Sequence, residues 1–508
     1  MSKIFKASIL LTFFFAGNKL VALVRQALIA NQFGFGAEID AFNVANNLPD
    51  LVLSLFSGGA LAMAFIPIFA EYFEEYGKKP SWKLFSKTAN ILFVVTAVVS
   101  VIFSIVARPV VESKFGISPG FPADKQDLVI SLMRINFIAL MIFSVSGLVT
   151  ASLQAHKHFF LTALAPIFYN LGVIIGVVFF APSSGYVIAG FTLPALGLGV
   201  HGLVYGTILG ALFHLVIQVP GLLKYEFKWT PVIDFRDEGI KKVLRLTGPR
   251  VATVFFIQLI FIARDNIASY LPQGSVTALT YGYFIQQVPE TLIATAIATA
   301  LLPTISTLAS GKKNEEFARA VNGAIRFLFA STLGITVLLS ITLLGFVELF
   351  FDFTAAENEL IVWVTRGYLF GLLSQAVLEV VIRAFYARQN AKLPLFATFI
   401  RAAVFLLIAY YFSSLAGAFG LAIADTIAVT VEVVILLFLL YRIMPTILLV
   451  NDTLIRTVLG CVVGAGVLMS GISFLPFTPL INMITALTLA SLIYLFFVKK
   501  EIKMLMRL

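Results

Sequence analysis

The chain is 508 residues long, 60% hydrophobic and only 12% charged, with a mean hydropathy of +0.98. Soluble globular domains carry about 25% charged residues, so this composition excludes them and describes a protein with many membrane spans. A net charge of +10 belongs with the basic loops that set membrane topology and calls for no nucleic acid, and the single Cys461 excludes a disulfide framework or a thiolate metal site.

In chain order, apolar runs of spanning length fall at 7–31, 40–70, 85–106, 128–153, 159–181, 197–223 and 244–271. They continue at 276–308, 320–346, 360–386, 394–415, 417–442, 454–474 and 479–498. The first run begins near Ala7, is too long for the h-region of a signal peptide and lacks a small-residue cleavage site, so the N-terminus is expected to be retained. Bilayer hydrocarbon offers no water to a bare backbone, which makes each run a helix. The expected fold class is therefore an all-α polytopic membrane protein with about fourteen transmembrane helices. The longest loops, 71–84, 107–127 and 224–243, are too short to hold a soluble core.

Basic residues orient the spans. With the N-terminus inside, the inner segments collect Lys78, Lys79, Lys83, Lys224, Lys228, Arg236, Lys312, Lys313, Lys499 and Lys500 among others, against Arg108, Lys114 and Lys125 outside. Both termini are expected on the cytoplasmic side.

An internal duplication is visible. The run NNLPD, Asn46 to Asp50, recurs as QQVPE, Gln286 to Glu290, and ALAMAFIP, Ala60 to Pro67, recurs as AIATALLP, Ala296 to Pro303. The simplest parsing is a six-helix half over 1–223, a cytoplasmic linker over 224–243, a second six-helix half over 244–442, and two extra helices with a basic tail over 443–508. Duplicated halves whose helices are interrupted by Pro or Gly at matching places mark transporters, so Pro49, Gly58, Gly59 and Pro289 are expected as hinges.

Helical projection puts Asp40, Asn43, Asn47, Asp50 and Ser54 on one stripe of the second span, and Asn18, Arg25 and Gln32 on one stripe of the first. In the seventh span Thr247, Gln258 and Asp265 align with Arg250 and Arg264 beside them, and in the eighth Tyr283, Gln287 and Glu290 align. These stripes are expected to surround a water-filled cavity. A single Asn or Ser inside a membrane is more often interhelical glue, but a charge costs about 2.5–3.5 kcal/mol at mid-bilayer and needs a partner or a cavity. Hence Arg25, Asp40, Arg264 and Asp265 are the first candidates. Elsewhere, Glu379 with Arg383, and Arg401 with Asp425 or Glu432, have the spacing of structural ion pairs. His156, His158, His201 and His214 are scattered and read as solvated or packed, Gly34 to Gly36 read as a turn, and no phosphate loop, zinc spacing or nucleophile elbow occurs. The expectation is a transporter, not an enzyme, with no cofactor or metal and with coupling to the membrane potential or to a monovalent cation.

The segments LVRQALIANQFGFGAEIDAF (Leu23 to Phe42), NLPD (Asn47 to Asp50), GGALAMAFIPIFAEY (Gly58 to Tyr72), FFLTALAPIFYNLG (Phe159 to Gly172) and AFYARQN (Ala384 to Asn390) resemble the MurJ (MviN) lipid II flippase family of the MOP transporter superfamily. The resemblance implies fourteen helices, a central cavity lined by helices 1, 2, 7 and 8, a groove for a polyprenyl tail at helices 13 and 14, and transfer of an undecaprenyl-pyrophosphate-linked peptidoglycan precursor from the inner to the outer leaflet. It places Arg25 as a cavity arginine and Asp40 as its acidic neighbour. Lys19 stands where the family has an arginine, and Arg250 and Arg264 are expected to supply replacement charge. Guanidinium forks suit a pyrophosphate, so Lys19, Arg25, Asn47, Arg250 and Arg264 are the expected substrate contacts, and Asp40, Asp50, Asp265 and Glu290 the acids of the cavity or of ion coupling. The expected partners are the lipid-linked glycan and membrane lipid, bound by a monomer in a bacterial inner membrane. A flippase for another polyprenyl-linked oligosaccharide, a multidrug exporter of the same superfamily and a polytopic glycosyltransferase are the alternative readings.

Overall fold

The computed structural model describes residues 3–56, 59–156, 158–188, 190–351, 353–444, 451–476 and 478–507. Within these, the side chains at 3–12, 56, 59–64, 159, 188, 246, 249–250, 451 and 505–507 lie outside the description. Residues 17–277 form one compact unit, and residues 278–508 with 1–16 form another.

The first unit takes in most of α1 (Lys3–Phe33), then α2 (Ala37–Ala45), α3 (Asn47–Phe56), α4 (Gly59–Tyr76), α5 (Lys78–Ile105), α6 (Ala107–Glu112) and α7 (Ala123–Ala155). It continues with α8 (Phe159–Ile175), α9 (Val200–Val216), α10 (Val219–Lys224) and α11 (Glu238–Ala268). The second unit holds α12 (Ser275–Pro289) beyond its first turn, α13 (Ala296–Ser310), α14 (Asn314–Phe350), α15 (Ala355–Leu369) and α16 (Leu372–Ala387). It closes with α17 (Lys392–Ile443), α18 (Asn451–Phe474) and α19 (Pro479–Arg507).

Among the described residues, twelve helical stretches are long and apolar enough to cross a membrane. One of them, α17, is 52 residues long and contains two non-helical residues, Ala416 and Gly417. Gly417 has φ +57°, a left-handed value that glycine adopts without a Cβ penalty, and it divides the stretch into two spans at the expected place. The expected second span is the other special case. Pro49 has no N–H to donate to Ala45, and the helix stops at Asn46 and restarts as α3. Among the described residues the fold is all-α apart from a short ribbon, in which Val187–Ile188 pairs antiparallel with Phe191–Thr192. The expected 71–84 loop is mostly helix instead: α4 runs to Tyr76 and α5 starts at Lys78, with only Gly77 between them.

The duplicated segment breaks differently in its second copy. After Pro289 the chain makes one wide π turn, Glu290–Thr295, before α13 resumes. A proline removes one i→i−4 hydrogen bond, and a π turn is one way for a helix to absorb the gap.

Packing in the first unit is densest where α8 crosses α9. A Cβ on Gly172 would lie 2.3 Å from the Gly210 backbone, and one on Gly176 would lie 2.6 Å from Gly206, so the small residues at four-residue spacing let the two backbones touch. At one end of this unit an aromatic core of Phe65, Phe69, Trp82 and Phe85 closes over His156. His156 stacks on Trp82 and lies 4.2 Å from the Tyr225 ring, and its Nε2 is buried without a partner. Burial holds its pKa below the usual imidazole value. The unfolded chain then binds the extra proton first, so stability is full above about pH 6.5 and declines as the pH falls below it. A His156→Phe variant is expected to flatten that slope in thermal melts between pH 7 and pH 5; an unchanged slope contradicts the assignment.

The second unit has its own core, in which Phe317, Val321 and Leu328 of α14 meet Val380, Val381 and Phe385 of α16. Lipid-facing surface is legible on α5, where Val94, Val98, Val101 and Ile105 repeat at helical spacing and are all exposed.

Candidate functional site

In the first unit the polar stripe of α1 remains intact because α1 is unbroken. It faces residues of α8 and of the segment after it. Asn18 accepts from the Asn170 amide at 3.1 Å, Gln32 accepts from the Tyr186 hydroxyl at 2.8 Å, and Arg25 lies 6.0 Å from the centre of the Tyr169 ring. Asn18 and Gln32 are therefore interhelical glue. Arg25 is different. It makes no ion pair or hydrogen bond among the described residues, and its Nε is buried without a partner. Lys19 lies half-buried one turn and a half earlier on the same helix.

The second and seventh spans meet as an antiparallel ladder. Asn47 of α3 donates to Asp265 of α11 at 3.0 Å, and seven residues along each helix Gln258 donates to Ser54 at 2.7 Å. The other Asp265 oxygen accepts from Nε of Arg264 at 2.8 Å, with Asp265 1% and Arg264 7% exposed. The expected stripes are thus brought together, but as a closed seam whose charges cancel. Arg264 also stands 5.2 Å from the Phe261 ring. The Arg250 side chain and Gly58 lie outside the described residues, and Gly59 opens α4.

Asp50 lies one helical turn beyond Asn47 on α3. It is exposed, although it lies within a span. Tyr169 of α8 stands beside Arg25. A guanidinium with a buried, unpartnered Nε beside a phenol ring is a polar site able to take up an anion.

Asp40 is engaged elsewhere. It lies about two turns before Asn47, and Asn46 between them keeps a right-handed helical backbone (φ −78°, ψ −19°), so the stripe continues from the Asn47–Asp265 contact to the start of α12. Asp40 is 1% exposed and bound by four donors. Oδ1 accepts from the Thr277 N–H at 2.9 Å and from its hydroxyl at 2.6 Å; Oδ2 accepts from Lys125 at 2.9 Å and from the Gly274 N–H at 2.8 Å. The expectation of an acidic neighbour for Arg25 at this position is therefore corrected. Asp40 caps the start of α12, where free N–H groups and the helix dipole favour an anion. Asp40→Ala strands the buried Lys125 (7% exposed), so a loss of about 3–5 kcal/mol is expected. The yield of folded protein checks it, and Asp40→Asn combined with Lys125→Met should recover part of the loss.

In the second unit Glu290 is half-buried, accepts from Gln286 at 3.1 Å and begins the π turn behind the buried Pro289. A denser charge cluster lies within α17: Arg401 donates to Asp425 at 3.1 Å and to Glu432 at 3.3 Å, and Thr398 donates to Glu432 at 2.6 Å. Arg383 pairs with Glu379 one turn away. Both structural pairings expected from spacing are present.

Sequence reasoning missed Tyr169, Lys125 and Thr277. Lys125 had been read only as an outside loop charge, and nothing local links it to Asp40. The signal that was available was the need of a buried carboxylate for a cation and several donors.

Residues 29–491 match the family model described as "Lipid II flippase MurJ". Curated relatives include the "Lipid II flippase MurJ" of Burkholderia cenocepacia, 29% identical over 402 residues, covering 77% of this chain and 75% of that protein. The "Probable lipid II flippase MurJ" of Buchnera aphidicola subsp. Schizaphis graminum is 24% identical over 496 residues, covering 94% and 93%. Among solved structures, "Lipid II flippase MurJ, inward closed conformation" superposes with TM-score 0.76 at 21% identity, covering 96% of this chain and 98% of that one. An inward-facing multidrug resistance MATE family transporter of the MOP superfamily superposes with TM-score 0.71 at 16% identity, covering 84% and 95%. At these identities the structural likenesses establish the fold alone.

Proposed function

We propose, from the premise that the chain belongs to the lipid II flippase MurJ family, that it moves lipid II, a lipid-linked peptidoglycan precursor, from the inner to the outer leaflet of a bacterial cytoplasmic membrane. The observation that carries this reading is Arg25: a guanidinium within a span that has no ion pair or hydrogen bond among the described residues and a buried, unsatisfied Nε. An unpaired charge at that depth is costly unless a ligand meets it, and a pyrophosphate is the counter-charge that a guanidinium fork accepts bidentately.

In this mechanism Arg25 takes the pyrophosphate, and the Tyr169 ring supports its side chain. Asp50, exposed on α3, balances the positive charge of the path and gives way, by protonation or by binding a monovalent cation, when the anionic substrate enters. The Asn47–Asp265–Arg264 seam fixes α3 against α11 and thereby sets the position of Asp50. Arg264, neutralised by Asp265, serves the seam, and Arg250 and Lys19 add positive potential along the path of the head group. The Arg25 site is exposed to the two sides of the membrane in turn, driven by the membrane potential or by the coupling cation, while the polyprenyl tail stays in lipid. Both termini lie on the cytoplasmic side, and the chain works as a monomer. A multidrug exporter of the same superfamily takes cationic cargo, which an unpaired arginine repels, or apolar cargo, which leaves its charge uncompensated.

The test is complementation. Cells depleted of their own lipid II flippase should keep dividing when this chain is expressed, and lysis despite normal membrane insertion would count against lipid II as its substrate.

A further inference from the structure

Between α5 and α11 of the first unit runs an apolar slot of about 270 Å³ that the transport reading leaves unused. Ile91, Leu92 and Val95 form one wall, Val243, Leu244 and Val251 the other, and Phe235 of the 225–237 segment covers the end. The two hydroxyls at its edge turn away from it. Thr88 donates to the Leu84 carbonyl at 2.9 Å and Thr247 to the Val243 carbonyl at 2.8 Å, so the slot presents only carbon. Along α11 it reaches from Ile240 to Val251, about 16 Å of helix axis. That is the depth of one leaflet of a hydrocarbon core about 30 Å thick. A Cβ placed on Gly248 meets nothing within 4 Å, so the slot is open volume and not a tight seam.

Its mouth has the chemistry of a membrane interface. The covering strap is fixed to α5: the Trp229 indole donates to Asn90 at 2.9 Å, and the Asn90 amide donates to the carbonyls of Thr230 and Val232 at 2.8 and 3.0 Å. Trp229, Ile233 and Phe235 on this strap are exposed, as aromatic and aliphatic side chains are at the level of lipid head groups. Nearby basic residues are already engaged: Lys87 pairs with Asp234 and Asp237, and Lys242 with Glu71. Arg236, next to Phe235, and Arg245, next to Leu244, are exposed and have no side-chain partner among the described residues. An apolar channel one leaflet deep, flanked by an exposed arginine beside the residue that covers its end and by another beside its wall, is complementary to an acyl chain that carries a phosphate.

We propose that this slot binds an anionic glycerophospholipid of the surrounding bilayer, with one acyl chain in the slot and the phosphate on Arg236 and Arg245. The bound chain bridges α5, α11 and Leu55 of α3, and so braces the seam formed by Asn47, Asp265 and Arg264. The proposal is independent of the transported substrate.

The full-length protein, stripped of lipid in detergent, is titrated with phosphatidylglycerol or phosphatidylcholine, and bound lipid is counted by native mass spectrometry beside thermal unfolding. Phosphatidylglycerol should bind about ten-fold or more tightly than phosphatidylcholine and raise the melting temperature further, since each basic residue near a charged lipid surface favours it several-fold. Gly248→Leu fills the slot without touching the fold, as leucine is the better helix former, and should lose both lipids. Arg236→Gln with Arg245→Gln leaves the slot open and should remove only the preference for the anionic lipid. Equal binding of the two lipids by the unmodified chain, or undiminished phosphatidylglycerol binding by Gly248→Leu, overturns the proposal.

Discussion

Arg25→Ala should cut transport roughly 30- to 1000-fold while the protein still reaches the membrane, because it removes a charge-assisted, bidentate contact worth about 2–4 kcal/mol. The fold has little to lose at this position. Arg25 has no ion pair or hydrogen bond among the described residues, and the Tyr169 ring beside it is centred 6.0 Å away. Deleting a charge with no fixed partner relieves a desolvation cost, so stability should hold or rise slightly. Arg25→Lys keeps the charge and loses the fork, and an intermediate rate is expected. The split between intact stability and lost transport distinguishes a substrate contact from structural glue. Complementation at graded expression, with protein quantified in the membrane, measures both quantities.

Arg401→Leu should have the opposite signature. Asp425 and Glu432 are 5% and 1% exposed, and Arg401 is the cation that both of them meet. Its removal leaves two buried carboxylates facing each other, and a loss of about 3–5 kcal/mol or more is expected. That is comparable with the whole stability of many domains, so the variant should fail to accumulate in the membrane. Replacing all three, with Arg401→Met, Asp425→Leu and Glu432→Leu, removes every buried charge of the cluster and should restore much of the yield. Full recovery of yield by Arg401→Leu alone contradicts a structural role for the cluster.

The contrast between these two arginines shows what a sequence discloses about a membrane protein. The spans were legible because hydrocarbon enforces helices on long apolar runs, and even the division of α17 near Gly417 falls where the run is punctuated. Pairings within a turn or within one helical hairpin were also legible: Glu379 with Arg383, and Arg401 with Asp425 and Glu432, follow from spacing. The stripe of α1 was legible because an unbroken helix preserves its periodicity. The stripe of the second span was legible as a face, since Asn46 keeps a right-handed helical backbone, but its use was not: Asp40, Asn47 and Ser54 are engaged by Thr277, Asp265 and Gln258, and Asp50 is left exposed. Lys125 and Thr277 were illegible for a different reason. They lie far along the chain from Asp40, and long-range ion pairs leave no periodic trace. The polar face of α11 was found, but its role was read as cavity lining, whereas the ladder to Asn47 and Ser54 uses it as a seam.

The central claim is that Arg25 is the docking group for a pyrophosphate. Binding of undecaprenyl-pyrophosphate to the purified protein and to its Arg25→Ala variant, in the same detergent and salt, tests it most directly. A drop in affinity of about 30-fold or more, with unchanged binding of an uncharged polyprenol, is the predicted result. Equal affinity of the two proteins for the pyrophosphate would contradict the account.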